Sequence, residues 1–183
     1  MIIVGITGTL GAGKGTVVNY LVKKRGFKHL SVREYLSNEI KKSGLEVNRN
    51  SLINKGNELR SKFGSSFLAE ELYVLAKKSG KDCVIESLRT PGEINALRKK
   101  GKFYLFAVDA DPKVRYERIT KRAGETDRVT FKEFMSHEQK EMTSEDPNKQ
   151  NLQKCILMSD CKFDNNGTVK ELYEKVEKVI SKI

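Results

Sequence analysis

The chain has 183 residues, 38% of them apolar, and its 35 lysines and arginines against 24 acidic residues give a formal net charge of +11. That is enough apolar material for a single domain with a sizeable core. Cys83, Cys155 and Cys161 are too few and odd in number for a disulfide framework, and with only His29 and His137 beside them no zinc-ligand spacing exists. No run approaches the roughly eighteen apolar residues of a membrane span, and the apolar start Met1–Ile6 has no basic flank. A cytoplasmic protein with reduced thiols and no membrane partner is expected.

The first element is the apolar run Ile2–Ile6, a strand, followed by Gly8-Thr9-Leu10-Gly11-Ala12-Gly13-Lys14-Gly15-Thr16 and then a helix that should end near Gly26. Glycines allow positive φ and carry no Cβ. Successive backbone N–H groups at Gly8, Gly11, Ala12, Gly13 and Gly15 can therefore turn toward an anion at the positive end of the helix. Lys14 adds a point charge for the outer phosphates of a nucleotide. Gly15 occupies the place after the lysine where a serine or threonine hydroxyl usually meets magnesium, and Thr16, one residue later, is left to do so directly or through water. This Gly-Lys-Gly-Thr form resembles the P-loop of adenylate kinase and other nucleoside monophosphate kinases, which implies ATP as phosphate donor and Mg2+ as cofactor.

Phe27–Ser31 reads as a short strand, and Ser31 with Glu34 as a capping box opening a helix to Lys42. The apolar spacings of Asn50–Phe63 and Ser65–Lys78 predict two further helices, so an insertion of about 32–79 separates the second and third strands. Asp82–Ser87 is a strand pattern ending in a carboxylate, and Thr90-Pro91-Gly92-Glu93 is a capped helix start with proline at its first position. Phe103–Val108 is the fourth strand, and Asp111-Pro112 opens a helix carrying Arg115, Arg118 and Arg122. The polar stretch Ala123–Val129 leads to a capping box at Thr130 and Glu133, and Ser144–Lys149 is a break. A weak strand at Cys161–Asp164 precedes a helix capped by Thr168 and Glu171, with Val169, Leu172, Val176, Val179 and Ile183 on one face and Glu171–Lys175 and Glu174–Lys178 as supporting pairs. Strands alternating with helices predict an α/β fold: a parallel five-stranded sheet with helices on both faces.

Much of the positive charge falls at helix ends. Lys23-Lys24-Arg25, Lys41-Lys42, Lys77-Lys78 and Arg98-Lys99-Lys100 each precede a glycine, as cations do against a helix C-terminus. No aromatic residues interleave with them, which argues against nucleic acid as the main partner.

In a parallel sheet the strand C-termini and helix N-termini share one edge, where ligands bind. The glycine loop, Ser31–Glu34, Glu86–Arg89 and Asp109–Asp111 all fall there. Glu86 is placed to hold magnesium or its waters and Arg89 to grip a phosphate of a second substrate; for Glu34 the capping role alone suffices. Phosphoryl transfer requires positive groups closing over the transferring phosphate. Arg118 and Arg122, four apart on one helix face, with Arg128 in the short segment 122–130, read as a lid.

The resemblance to the nucleotide kinases extends further. Val84–Arg89 resembles the adenylate kinase strand ending in Asp-Gly-Phe-Pro-Arg, with Glu86 in place of the aspartate and no proline. Leu30–Leu36 resembles that family's acceptor segment, with Glu34 at the aspartate and Ser37 where an arginine belongs, which leaves acceptor recognition to Arg49 or Arg60. Arg118 and Arg122 match the lid arginines in spacing. Ser159–Thr168 resembles the corresponding segment of dephospho-coenzyme A kinase, and Asn57–Glu70 resembles P-loop domains associated with deoxycytidylate deaminases. These resemblances imply a three-layer P-loop fold and ATP-dependent transfer to a nucleotide-type acceptor, a nucleoside or deoxynucleoside monophosphate. Dephospho-coenzyme A kinase, and an ATP-binding regulatory or RNA- or protein-interaction module, are the alternatives; oligomeric state is left open.

Overall fold

The computed structural model describes residues 1–122 and 129–183; Arg128 and most of the expected lid lie outside the described residues. In chain order, β1 (Ile3–Gly8) leads into α1 (Lys14–Arg25), β2 (Lys28–Ser31) and the helices α2 (Val32–Lys42), α3 (Arg49–Phe63) and α4 (Phe67–Ser79). Then come β3 (Cys83–Glu86), α5 (Pro91–Arg98), β4 (Phe103–Asp109) and α6 (Pro112–Arg122). The chain continues through α7 (Phe131–Met142), α8 (Leu152–Leu157), β5 (Cys161–Asp164) and α9 (Val169–Ile180). The strands form one sheet in the order β2-β3-β1-β4-β5, and every pairing is parallel.

Strand side chains alternate between faces, and the apolar runs here are buried on both, as parallel sheets require. Ile3, Cys83, Ile85 and Leu105 pack with Leu36, Leu59, Leu68, Leu72 and Leu97 on one side of the sheet. Val4, Ile6, Val84, Phe106 and Val108 pack with Val17, Leu21, Leu172 and Val176 on the other. Helices α2 to α5 and α8 therefore cover one face, and α1 and α9 the other. Among the described residues no helix is long and apolar enough to cross a membrane.

The basic helix ends are where the sequence puts them: Lys23, Lys24 and Arg25 close α1 before Gly26 at φ 72°, and Lys77 and Lys78 close α4 before Gly80 at φ 65°. Reciprocal capping boxes form at Thr90–Glu93, Thr130–Glu133 and Thr168–Glu171. Cys83 and Cys155 are buried thiols, and burial pushes that of Cys155 up to about 12, away from thiolate chemistry.

Three local expectations are corrected. Ser31 Oγ accepts the Glu34 N–H at 3.3 Å, which is one half of the expected box, and Ser31 is also the last residue of β2, in register with Glu86. Val169 does not join the buried face of α9, which runs through Leu172, Val176 and Ile180; it is 55% exposed. The expected Glu171–Lys175 pair on α9 gives way to backbone partners: Glu171 accepts the Thr168 N–H and Lys175 donates to the Asp164 carbonyl at 2.7 Å. Helix α8 is an element the sequence reading leaves unassigned, because six residues burying only Leu152 and Cys155 show no period.

Candidate active site

The loop between β1 and α1 is held from three sides. Thr9 Oγ1 donates to Asp109 Oδ1 at 2.7 Å at the end of β4, and Asn165 Nδ2 donates to the Ala12 carbonyl at 2.8 Å from the end of β5. Arg115, 3% exposed, donates to the carbonyls of Leu10 and Ala110 and to both oxygens of Glu138 on α7. Gly13 sits at φ 97° with the Asn165 amide 2.3 Å from where a Cβ would lie, so a side chain there is excluded by both conformation and space. Gly15 is different: nothing lies within 4 Å of its missing Cβ, and the space for a hydroxyl in the usual place is open.

Helix α1 begins at Lys14 with no side-chain cap and no acidic residue in its first turn. Its N-terminal amides and dipole are thus left to an anion. Lys14 Nζ folds back onto the carbonyls of Gly8 at 2.9 Å and Thr9 at 2.8 Å. Burial, and then the charge of Arg89, push its ammonium down to about 8.

From this loop a cavity of about 580 Å³ runs under α2, α3 and α7. Among the described residues seven cations, Lys14, Arg33, Arg49, Arg60, Arg89, Arg118 and Arg122, line it with two carboxylates, Glu86 and Glu141. Gly11, Gly13, Gly15 and Thr16 line it from the loop side. Such an excess of positive charge in a cleft suits a polyanion.

Glu86, at the C-terminal end of β3, meets His29 Nε2 at 3.2 Å. Burial raises its pKa, but the His29 hydrogen bond and the charges of Lys14 and Arg89 outweigh that and hold the carboxyl below its ordinary value. Thr16 and this ionised Glu86 are hard oxygen donors on one cavity. Among the described residues no group of three or more His, Cys, Asp or Glu could hold a metal alone. Such a sparse set fits Mg2+, which is bound by one or two protein oxygens together with substrate phosphates.

Ser87, next to Glu86, has φ 74°, the only non-glycine residue with positive φ among those described. The left-handed conformation costs a residue with a Cβ about 1–2 kcal/mol, against about 0.5–1 kcal/mol of backbone entropy for glycine. Ser87→Gly is therefore expected to stabilise the protein by up to about 1 kcal/mol in a denaturant titration; a loss of stability would show that Ser87 is not strained in this conformation.

Arg89 is fixed at both ends. Its backbone N–H donates to Glu93 Oε2 at 2.7 Å and its carbonyl accepts from Asn151 at 2.9 Å. Its Nη1 donates to Glu141 and, at 2.8 Å, to Gln150 Oε1. Glu141 also accepts from Arg49 Nη2 at 2.6 Å; burial raises its pKa, but the charges of Arg89 and Arg49 hold it below the usual carboxylate range.

The expected site residues divide accordingly. Gly11, Gly13, Lys14, Gly15, Thr16, Glu86, Arg89, Arg118 and Arg122 come together on one cavity, whereas Gly8 and Ala12 are buried behind the loop and do not line it. Arg118 Nη2 lies 3.4 Å from the Gly167 carbonyl, and its Nη1 is buried without a hydrogen-bond partner, a donor left for an incoming group. Glu34 is exposed and is not part of the cavity lining, so an acceptor role for it has no support here. Arg60 touches the cavity, but its Nε and Nη2 are both committed to Glu93 inside the protein. Ser37 stands where the family arginine was expected and bonds to the Arg33 carbonyl; an arginine one turn earlier, Arg33, lines the cavity instead.

Sequence reasoning missed Glu141, Gln150 and His29. The first two reach Arg89 across 52 and 61 residues and carry no local signal. His29 had one: it is two residues before Ser31 on a strand adjoining β3.

A sequence profile of the AAA domain matches residues 4–144. UPF0200 protein MJ1399 of Methanocaldococcus jannaschii is 30% identical over 145 residues, which cover 78% of this chain and 73% of that protein. Two solved structures share the fold across nearly the whole chain. A sugar kinase from Janibacter sp. superimposes with a TM-score of 0.58 at 13% identity, covering 99% of this chain and 95% of that one. Shikimate kinase from Aquifex aeolicus does so with a TM-score of 0.52 at 17% identity, covering 99% and 97%. With its glycine loop, its parallel sheet and these matches, the chain belongs to the AAA domain family of P-loop proteins, in the kinase-like fold, and with MJ1399 to the UPF0200 proteins.

Proposed function

We propose that the protein is an ATP- and Mg2+-dependent phosphotransferase whose acceptor is a small phosphate monoester, a nucleoside or deoxynucleoside monophosphate. The observation that carries this reading is one continuous cavity lined by cations from separate parts of the chain, Lys14 at the glycine loop and Arg89 with Arg49 around Glu141. Two anionic reactants held facing one another in a water-poor cleft are what phosphoryl transfer needs.

In this reading Lys14 and the loop amides bind the donor phosphates, and Arg89 and Arg49 orient the acceptor so that its phosphate oxygen faces the donor's terminal phosphorus. That oxygen forms the new P–O bond as ADP leaves with the old one. A phosphate acceptor needs no general base. Arg118 and Arg122, with Arg128 as a further candidate, neutralise the charge that spreads over the transferring group. Thr16 and Glu86 are the oxygens that would hold Mg2+, which when bound offsets charge on the outer donor phosphates.

The resemblance of Ser159–Thr168 to dephospho-coenzyme A kinase has a local explanation that involves no acceptor. Asn165 clamps the loop, Asn166 accepts the Asp111 N–H at 2.7 Å, and the Gly167 carbonyl meets Arg118. The test is ATP consumption with magnesium against ribo- and deoxyribonucleoside monophosphates, dephospho-coenzyme A, and the hydroxyl acceptors shikimate and gluconate. One monophosphate should raise turnover about 100-fold over transfer to water. Slow hydrolysis indifferent to every acceptor would overturn the reading in favour of a nucleotide-dependent binding module.

A further inference from the structure

Glu141 bridges the two arginines assigned above to the acceptor. One of its oxygens accepts from Arg49 Nη2 at 2.6 Å and the other from Arg89 Nη1, and the residue is 6% exposed on the wall of the cavity. It comes from α7, a helix outside the sheet, whereas Arg49 and Arg89 come from α3 and the β3–α5 loop. The pairing leaves a donor over: Arg49 Nε is buried with no hydrogen-bond partner. A single carboxylate thus bridges two guanidinium groups without satisfying both, although buried donors are normally satisfied.

Two guanidinium groups cannot stand side by side in a shielded cleft without a counter-charge. A phosphate monoester has a second negative charge and a third oxygen, so it can satisfy both groups and reach the donor that Glu141 leaves unmet. We propose that Glu141 is an internal surrogate for the acceptor's phosphate: it holds Arg49 and Arg89 paired while the acceptor is absent and yields them to a phosphate monoester when one arrives. This rests on reading the acceptor as a monophosphate. It makes Glu141 a specificity-determining residue. A neutral hydroxyl compound brings no charge to replace the carboxylate and is refused, while a monophosphate binds with an affinity reduced by the competition.

The experiment is thermal unfolding of the full chain titrated with inorganic phosphate against chloride at constant ionic strength, for wild type, Glu141→Gln, Glu141→Asp and Glu141→Gln with Lys14→Ala. In chloride, Glu141→Gln should unfold about 5 °C or more below wild type, because the arginines lose their counter-charge. Phosphate should restore it with a half-saturating concentration about tenfold lower than wild type requires. The shift should persist with Lys14→Ala, which separates the arginine pair from the glycine loop. Glu141→Asp, shorter by one methylene, should lie between and supplies the comparison if the glutamine variant does not fold. Equal phosphate dependence in wild type and the Glu141 variants, or a shift abolished by Lys14→Ala, would overturn the proposal. Because the readout is anion binding, failure of every monophosphate as acceptor would strike the kinase reading and leave this shift in place. An active monophosphate kinase without the shift would sink the surrogate role alone.

Discussion

Lys14→Ala should reduce ATP-dependent transfer about 10³-fold while leaving the unfolding midpoint within about 2 °C of wild type, or above it. The loss follows from removing Lys14 from the mouth of α1, where it is the only lysine lining the cavity among the described residues. The preserved stability follows from its pKa. Burial and the charge of Arg89 bring the folded value down to about 8 from a usual 10.5. Below about pH 8 the native state therefore holds an ammonium that the unfolded chain holds more easily. That penalty is fully present at neutral pH and fades as pH rises from about 8 toward the unfolded value. Alanine loses the two hydrogen bonds to the Gly8 and Thr9 carbonyls but also removes the penalty. The same titration governs binding, since the donor's phosphates attract only the protonated lysine. ATP affinity measured by calorimetry should fall about eightfold between about pH 7.5 and pH 9, with proton uptake on binding at the upper end. The Lys14→Ala profile should be flat. A wild-type profile equally flat over that range would remove the charged lysine from the donor site.

What the residues disclose without coordinates is what depends on neighbours in the chain. Apolar runs mark β1, β3 and β4, shorter and weaker patterns mark β2 and β5, and the boxes at Thr90, Thr130 and Thr168 mark helix starts, because capping joins residues three apart. The glycine loop is legible for the same reason. Sheet order is not: β1 lies between β3 and β4, and nothing within those segments says so. The glycine-loop part of the cavity, built on one turn and one helix, was therefore open to sequence reading. The network around Arg89 was not, since it depends on side chains converging from α3, α7 and the loop before α8. Glu34 and Arg60 show why. Glu34 and Arg60 each fitted a local pattern, but in the fold Glu34 is exposed to solvent and Arg60 is committed to Glu93, a partner 33 residues away. An ionisable side chain's role follows its partner, and partners here are distant in sequence.

That partner supports the second large effect. Glu93→Gln should destabilise the protein by about 3–5 kcal/mol in a denaturant titration. Glu93 is 0% exposed and Arg60 1%, and Glu93 Oε1 takes both the Nε of Arg60 at 3.1 Å and its Nη2 at 2.8 Å. Its Oε2 takes the backbone N–H groups of Arg89 and Thr90 at 2.7 and 3.1 Å. One carboxylate thus closes the capping box of α5, fastens α3 to the loop after β3, and fixes the backbone that aims Arg89. Glutamine leaves a buried guanidinium without counter-charge, which is the expensive part of breaking such a pair. The double variant Arg60→Met with Glu93→Gln should recover at least half of the loss, since the amide oxygen still accepts the Arg89 and Thr90 N–H groups and no unpaired cation remains. Salt should change none of these differences much, because screening acts weakly on a pair shielded from water. If the double variant were as unstable as the sum of the two single ones, Arg60 and Glu93 would not be energetically coupled, and the alignment of Arg89 would have to be traced to Gln150 and Glu141 instead.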